Sequence, residues 1–182
     1  MTSGNSDTLL CGTFRSTNLR DGPKQAYTVM DGIGMLTISQ ESSIFFDPIE
    51  KIEGWNISLH QTTPIDLILK SGTGDISLHT RTVNLTSLDI DAGAGDVIVD
   101  LTEWKGNHLP VSISSGLGSL SVILPQKTSI AAETDNGLGS RTISGLEGGD
   151  GHYYHTETTP GSPVISLSIK QGLGDLTLKT GI

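Results

Sequence analysis

Several of the commoner routes to structure and chemistry are closed to this chain by what it lacks. A single cysteine, Cys11, excludes an internal disulfide framework and any cysteine-rich metal site. Aromatic residues supply only 4% of the sequence against 35% hydrophobic residues in all, so the core has to be aliphatic. Lys and Arg number 11 against 20 Asp and Glu, and the formal charge of −9 repels phosphate backbones and anionic lipid heads. Nucleic acid is therefore not expected as a partner. The charges are scattered singly, which describes a solvated acidic surface rather than an acidic tail. No window approaches the ~20 apolar residues of a membrane span, so the chain is read as soluble as given, with no membrane insertion of its own. Leu9-Leu10-Cys11-Gly12 has the outline of a lipoprotein cleavage box, but no basic stretch or long apolar run precedes it, and Cys11 is read as an ordinary, partly buried cysteine. No stretch carries a sustained helical period.

What the chain does have is one phrase used again and again: Gly-x-Gly followed by a short alternating strand. It occurs at Gly32-Ile33-Gly34, Gly72-Thr73-Gly74, Gly93-Ala94-Gly95, Gly116-Leu117-Gly118, Gly137-Leu138-Gly139 and Gly172-Leu173-Gly174, and Asn56-Ile57-Ser58-Leu59 keeps the strand without the glycines. From Pro64 onward a second alternating strand precedes each corner: Ile65-Leu67-Leu69, Leu88-Ile90, Val111-Ile113, Ile130-Ala132 and Ile165-Leu167-Ile169. Residues two apart share one face of a strand, so each strand offers one apolar face. The glycines are explained by a corner that needs positive φ and by backbones packed without Cβ atoms between them. A phosphate-cradling loop is not, because no copy continues into a Walker or dinucleotide-binding pattern.

The first inward residues after the corners are Leu36, Ile57, Ile76, Val97, Leu120, Arg141 and Leu176, separated by 21, 19, 21, 23, 21 and 35 positions. A period near 20 implies one supersecondary unit stacked on copies of itself. The fold expected is all-β: a flattened parallel β-solenoid, right-handed by the parallel-crossover rule, of about seven coils of ~21 residues. Its single domain, 1–182, divides into irregular N-terminal coils or a cap (1–63), regular coils (64–144), a loop insertion (145–163) and a last coil (164–182). Residues 1–8 are read as frayed, Asp21-Gly22-Pro23 as a turn, and 42–55 as an irregular segment able to close one end. The surplus of the last interval falls in 145–161, leaving the stack between the sixth and seventh coils, where solenoids often place recognition. Gly145, Asp150, His152, Tyr153, Tyr154 and His155 are its candidate interaction residues.

Candidate chemistry is sparse. Asp75, Asp96 and Asp175 follow the second glycine; capping of free backbone N–H groups explains them better than calcium, whose β-roll needs nine-residue repeats. Stacking would align His60, His79 and Asp100 on an outer face, a set that could hold a divalent metal or be a solvated polar ladder. His152 and His155, with Asp150 or Glu157, form a second weak metal candidate. No metal or other cofactor is assigned. Arg141 interrupts the aliphatic column, either bending out beside the insertion or pairing with Glu133 or Asp135. Gly-x-Ser-x-Gly, His-Glu-x-x-His and Cys/His pairings are all missing, so no catalytic residue is assigned and the chain is read as non-enzymatic. The enzyme alternative is a glycan-binding or glycan-cleaving solenoid, which needs paired carboxylates or an aromatic strip. No acidic column persists over adjacent coils, and Trp55 and Trp104 are the only tryptophans.

The run from Ile65-Asp66-Leu67 through Gly72-Thr73-Gly74-Asp75, then Leu85-Thr86-Ser87-Leu88-Asp89-Ile90-Asp91-Ala92-Gly93-Ala94-Gly95-Asp96-Val97, resembles the toastrack domains of bacterial envelope proteins. Asp100-Leu101-Thr102-Glu103-Trp104, Gly116-Leu117-Gly118, Leu124-Pro125 and Gly137-Leu138-Gly139-Ser140 follow the same pattern in order. That group includes the C-terminal domains of LiaF-type cell-wall-antibiotic-response proteins and related putative-adhesin families. The resemblance implies a non-catalytic domain, often tethered to membrane helices, that serves envelope-stress signalling through protein contacts. It carries no catalytic residues over. The chain lacks the membrane segments, so bacterial cytoplasmic and membrane-tethered settings both stay open. The expected partner is a protein, or another copy meeting it at a coil end or a strand edge.

Overall fold

Sixteen strands and no helix account for the regular structure of the computed structural model, which describes residues 9–14, 23–40, 54–81 and 83–181. Residues 1–8, Asp21-Gly22 and most of the irregular 42–55 segment lie outside the described residues. The chain forms two compact units, Met1–His60 and Gln61–Ile182.

The first unit holds two antiparallel pairs. β1 (Leu10–Phe14) pairs with a later strand of the same unit, and β2 (Lys24–Met30) pairs with β3 (Ile33–Ser39). The partner of β1 is β4 (Trp55–Leu59), and the Phe14 and Trp55 rings meet edge to face at 5.2 Å. Cys11 lies exposed on β1 rather than partly buried. Asp31 and Gly32 both have positive φ, 53° and 80°, which is the backbone of a two-residue I′ hairpin turn. The expected coil at Gly32-Ile33-Gly34 is thus a hairpin. Its Leu36 faces Tyr27 across an antiparallel pair, and Ile57 on β4 faces Gly12 in the same way. Neither copy builds the parallel stack predicted from its spacing.

The second unit is the stack. Its first three repeats are β5 (Ile65–Thr73) with β6 (Ile76–His79), β7 (Leu85–Ala94) with β8 (Val97–Asp100), and β9 (His108–Leu117) with β10 (Leu120–Leu124). A fourth repeat, β11 (Ser129–Leu138) with β12 (Arg141–Ser144), is followed by β13 (Glu147–Gly149) and β14 (His152–His155). The chain closes with β15 (Val164–Leu173) and β16 (Leu176–Thr180). One sheet runs β5-β7-β9-β15-β11-β14-β13 and the other β6-β8-β10-β16-β12. All pairings within the repeats are parallel; only β14 and β13 are antiparallel additions.

In-register stacking piles like on like. Leu67, Leu88, Val111, Leu167 and Ala132 form one inward column, and Leu69, Ile90, Ile113, Ile169 and Thr134 the next. Ile76, Val97, Leu120, Leu176 and Arg141 answer them from the facing sheet, beside Leu78, Val99, Val122, Leu178 and Ile143. The aliphatic residues of the central repeats are almost wholly buried, as the low aromatic content required. Each such side chain is worth roughly 1.5–3 kcal/mol of burial.

Spatial order departs from chain order. The last repeat, β15–β16, is inserted between β9–β10 and β11–β12. The hydrogen-bond rail through the corners records it: Gly118 N donates to Leu173 O at 3.0 Å, and Gly174 N to Leu138 O at 2.8 Å. The 145–163 insertion is accordingly no loop leaving the stack. It turns back as the β13–β14 hairpin, adds to the outer edge of β11, and returns the chain to the inserted repeat. Its turn is Asp150-Gly151, again with both φ positive. Tyr153 and Leu146 pack against the core beside Ile143, so the hairpin covers the end of the aliphatic pillar.

The two glycines of each corner answer different needs. Gly95 has φ +137°, a conformation L side chains rarely adopt. Gly116 is required by proximity, because a Cβ there would strike the Gly93 carbonyl of the neighbouring repeat. At Gly72, which lies in an outermost repeat, the same added Cβ meets nothing within 4 Å. Gly116→Ala is therefore expected to cost about 1–3 kcal/mol through overpacking, and Gly72→Ala to stay within about 0.5 kcal/mol of the parent. Urea denaturation of the two variants measures the difference, and equal losses would contradict close packing at the corners.

Candidate functional site

The corner aspartates are caps. Asp75 Oδ1 accepts the Asp96 N–H at 2.9 Å, and Asp96 Oδ1 accepts the Ser119 N–H at 2.8 Å. Asp175 Oδ1 accepts both the Ser140 N–H, at 3.0 Å, and its hydroxyl, at 2.8 Å. Each carboxylate reaches one repeat along the stack to a donor that the corner leaves free. The two hydrogen bonds from Ser140 hold the Asp175 carboxyl below the ordinary aspartate range.

The middle residues of the Gly-x-Gly corners form a ridge along the stack. Register aligns Thr73, Ala94, Leu117, Leu173 and Leu138 in that order. The three leucines are adjacent and exposed, at 50%, 45% and 73%. Neighbouring strands lie ~4.8 Å apart, so the ridge presents about 10 Å of continuous apolar surface with the acidic caps beside it. Sequence reading treated these leucines only as the variable position of a corner. Their signal was that the phrase is Gly-Leu-Gly in three copies, although nothing structural requires leucine there.

The histidine candidates come apart. His79 and Asp100 are register neighbours, with Nδ1 to Oδ2 at 3.5 Å, and Ser77 Oγ lies 3.3 Å from His79 Nε2. His60 follows β4, whose partner is β1, so it does not extend the parallel ladder that holds the other two. Burial pushes the half-buried Asp100 carboxyl upward, but hydrogen bonds from the Thr102 hydroxyl and N–H, and then His79, outweigh it and leave the group lowered. On β14, His152 is exposed and opposes Glu133, while His155, three positions on, lies on the opposite face and is half-buried. They cannot share a ligand with Asp150, which sits in the turn. The Glu157 carboxylate is taken by the Thr158 N–H and the Thr159 hydroxyl. Among the described residues no three His, Cys, Asp or Glu side chains converge.

Of the insertion residues, Tyr154 and His152 face outward, whereas Tyr153 turns toward the core and Gly145 makes a positive-φ bend before β13. Arg141 is exposed on β12 and donates from Nη1 to the Tyr153 hydroxyl at 3.4 Å. It bends out at the edge of the stack instead of pairing with Glu133 or Asp135. Trp104 offers no aromatic strip: it is 5% exposed, and its Nε1–H is donated to Leu85 O at 3.0 Å. Opposite the corners, the returns between repeats border a cleft of about 570 Å³, on whose walls stand Lys105 and Lys127. Sequence reading passed over it, because the returns carry no repeat.

The lowered aspartates predict an acid-sensitive stack. Their folded pKa lies below the unfolded one, so the unfolded chain takes up these protons first. The stability they contribute is present above the unfolded pKa and is lost as pH falls through the folded value. Asp175→Asn and Asp100→Asn should each lower the urea midpoint near neutrality, and the gap from the parent should narrow as pH falls from about 5 toward 2. A gap independent of pH would remove the carboxylates from this role.

Comparison with known proteins agrees with this architecture. A family model described as the N-terminal domain of toast_rack, DUF2154, matches residues 1–123. Among solved structures, the chain is similar to a putative cell adhesion protein from Clostridium sporogenes, with 26% identity and a TM-score of 0.87. The match covers 98% of this chain and 85% of that one. No curated protein matches. The family model spans well over half of the 182 residues, and the chain belongs to the toast_rack family.

Proposed function

We propose that the chain is a non-enzymatic interaction module that binds a protein partner through its leucine ridge, in a cell-surface or envelope setting. The ridge carries the reading. Three adjacent exposed leucines in register form an apolar line that the fold does not use internally, and contiguous exposed apolar surface marks interaction sites. The acidic caps alongside favour a partner that brings apolar side chains flanked by Lys or Arg. A second copy of this chain, at −9, would set acid against acid on that face. The non-catalytic part of the reading is supported by the work the carboxylates already do, since Asp75, Asp96, Asp100 and Asp175 all hold donors of their own chain.

The finer forms follow the family resemblance and the name of the similar structure: adhesion-like contact at the cell surface, or a signalling contact under envelope stress. Right-handed winding of the stacked repeats belongs to the same reading. Self-association is favoured instead by one observation: among the described residues β12 ends its five-stranded sheet with no strand outside it, and an open edge can accept another chain.

A photo-crosslinking side chain placed at Leu138 or Leu173 in the bacterial host is expected to capture one partner from both positions, and none from Ser112 on the outer sheet face. Leu138→Ser with Leu173→Ser should leave the unfolding midpoint within about 0.5 kcal/mol of the parent while abolishing binding of the purified partner. Retained binding would sink the ridge. Light scattering over a concentration series reads the β12 edge separately, and a strict monomer rules that route out.

A further inference from the structure

The cleft opposite the corners has a composition unlike the rest of the protein. It is bordered by the 101–107 and 125–128 returns, by Pro163 ahead of β15, and by Gly181 after β16. Among the described residues no Asp or Glu lines it, whereas Lys105 and Lys127 both do. Neither lysine makes an ion pair among the described residues. Of the carboxylates nearby, Glu103 meets Arg81 Nε at 3.4 Å, while Glu157 stands on the adjoining cleft that shares Lys127 and accepts from Thr158 N at 3.1 Å and Thr159 Oγ1 at 3.2 Å. The floor is rigid: Trp104 is anchored by its bond to Leu85 O, and Gly106 lies so close to the indole that a Cβ would strike the ring.

We propose that this cleft binds a glycan segment bearing an oxyanion, a carboxylate or a phosphate carried on a sugar. Lys105 and Lys127 meet the oxyanion as mobile point charges. Asn107 and Gln126 present side-chain amides, which both donate and accept and so match neighbouring sugar hydroxyls. Pro163 supplies apolar surface on which a sugar ring rests. At about 570 Å³ the cleft has the size of a ligand site. Nucleic acid does not suit it, because the chain as a whole carries −9 and a phosphate backbone would be repelled beyond the cleft. The inference goes beyond protein binding at the leucine ridge, which lies at the opposite ends of the strands and is untouched by its failure.

Calorimetric titration of the full chain tests it with a galacturonate oligosaccharide in one arm and a mannose-phosphate oligosaccharide in the other. Neutral maltotetraose and inorganic phosphate serve as comparisons. Saturable binding to at least one charged glycan is expected, weakening with added salt. Lys105→Ala with Lys127→Ala should reduce the affinity about tenfold or more. Asn107→Ala should weaken glycan binding but leave inorganic phosphate unaffected. Both lysines are exposed, so circular dichroism and the unfolding midpoint of the double variant should match the parent. The proposal is overturned by no heat in either charged arm, by equal binding of the neutral sugar or of inorganic phosphate, or by an unchanged affinity in the double variant.

Discussion

Close approach of backbones at the corners is the constraint on which the rest depends. A Cβ at Gly93, Gly116, Gly137 or Gly172 would meet a glycine carbonyl of the adjacent repeat. Only glycine lets the strands pass the corner while keeping the ~4.8 Å spacing of the parallel ladder. Because the rail of hydrogen bonds continues through the corner, the two sheets share one register, and the aliphatic columns on both inner faces are aligned together. Packing of Leu, Ile and Val, capping by aspartate and the exposed leucine line all inherit that register. The aspartate caps are its electrostatic complement, since each accepts an N–H that the turned backbone would otherwise leave to water.

The inserted repeat explains residues that look like defects in the sequence. β11 and β12 are fourth in the chain but outermost in space, and their inward side chains weaken accordingly. Ala132 stands where the other repeats have Leu or Val, Thr134 where they have Leu or Ile, and Arg141 where they have Ile, Val or Leu. An outermost slot has a neighbour on one side only, so a long charged side chain can leave it without a buried charge. Arg141 also narrows what the open edge of β12 can accept, since a charge at an inward position disfavours any incoming strand that would bury it. The β13–β14 hairpin completes the cover on the sheet where the pillar would otherwise face water, and the Arg141 bond to Tyr153 joins the two devices. The repeat of best aliphatic quality, β15–β16, takes a central place with a partner on both sides.

Much of this was legible, and the illegible part has definite physical causes. Period-two alternation from Ile65 onward gave all five strand pairs, and the Gly-x-Gly spacing gave the parallel columns, since a repeated steric requirement leaves a repeated residue. The capping role of Asp75, Asp96 and Asp175 followed from ordinary side-chain chemistry. The order of stacking did not follow, because Leu120 can sit in register on Arg141 or on Leu176 equally well; only the weak inward residues of β11–β12 hinted that this repeat was terminal. Gly32-Ile33-Gly34 misled because one phrase serves two physical ends. There Gly32 completes an Asp-Gly turn, and Gly34 makes room for the Tyr27 ring. The aspartate preceding Gly32, like that preceding Gly151, was the available sign of a hairpin. His152 and His155 could have been separated from alternation alone, being an odd number of strand positions apart.

Function divides along the same line as regularity. Strand faces and corners answer to the register, so their outward residues recur as small hydroxyls, acids or the ridge leucines, and any partner meeting them meets a periodic surface. The returns opposite the corners are exempt, as their varied lengths in 80–84, 101–107, 125–128 and 156–163 attest. They can gather residues without matching them from one repeat to the next. That freedom lets an acidic protein set Lys105 and Lys127 over a cleft that no described Asp or Glu lines, a grouping that no neighbouring repeat has to match.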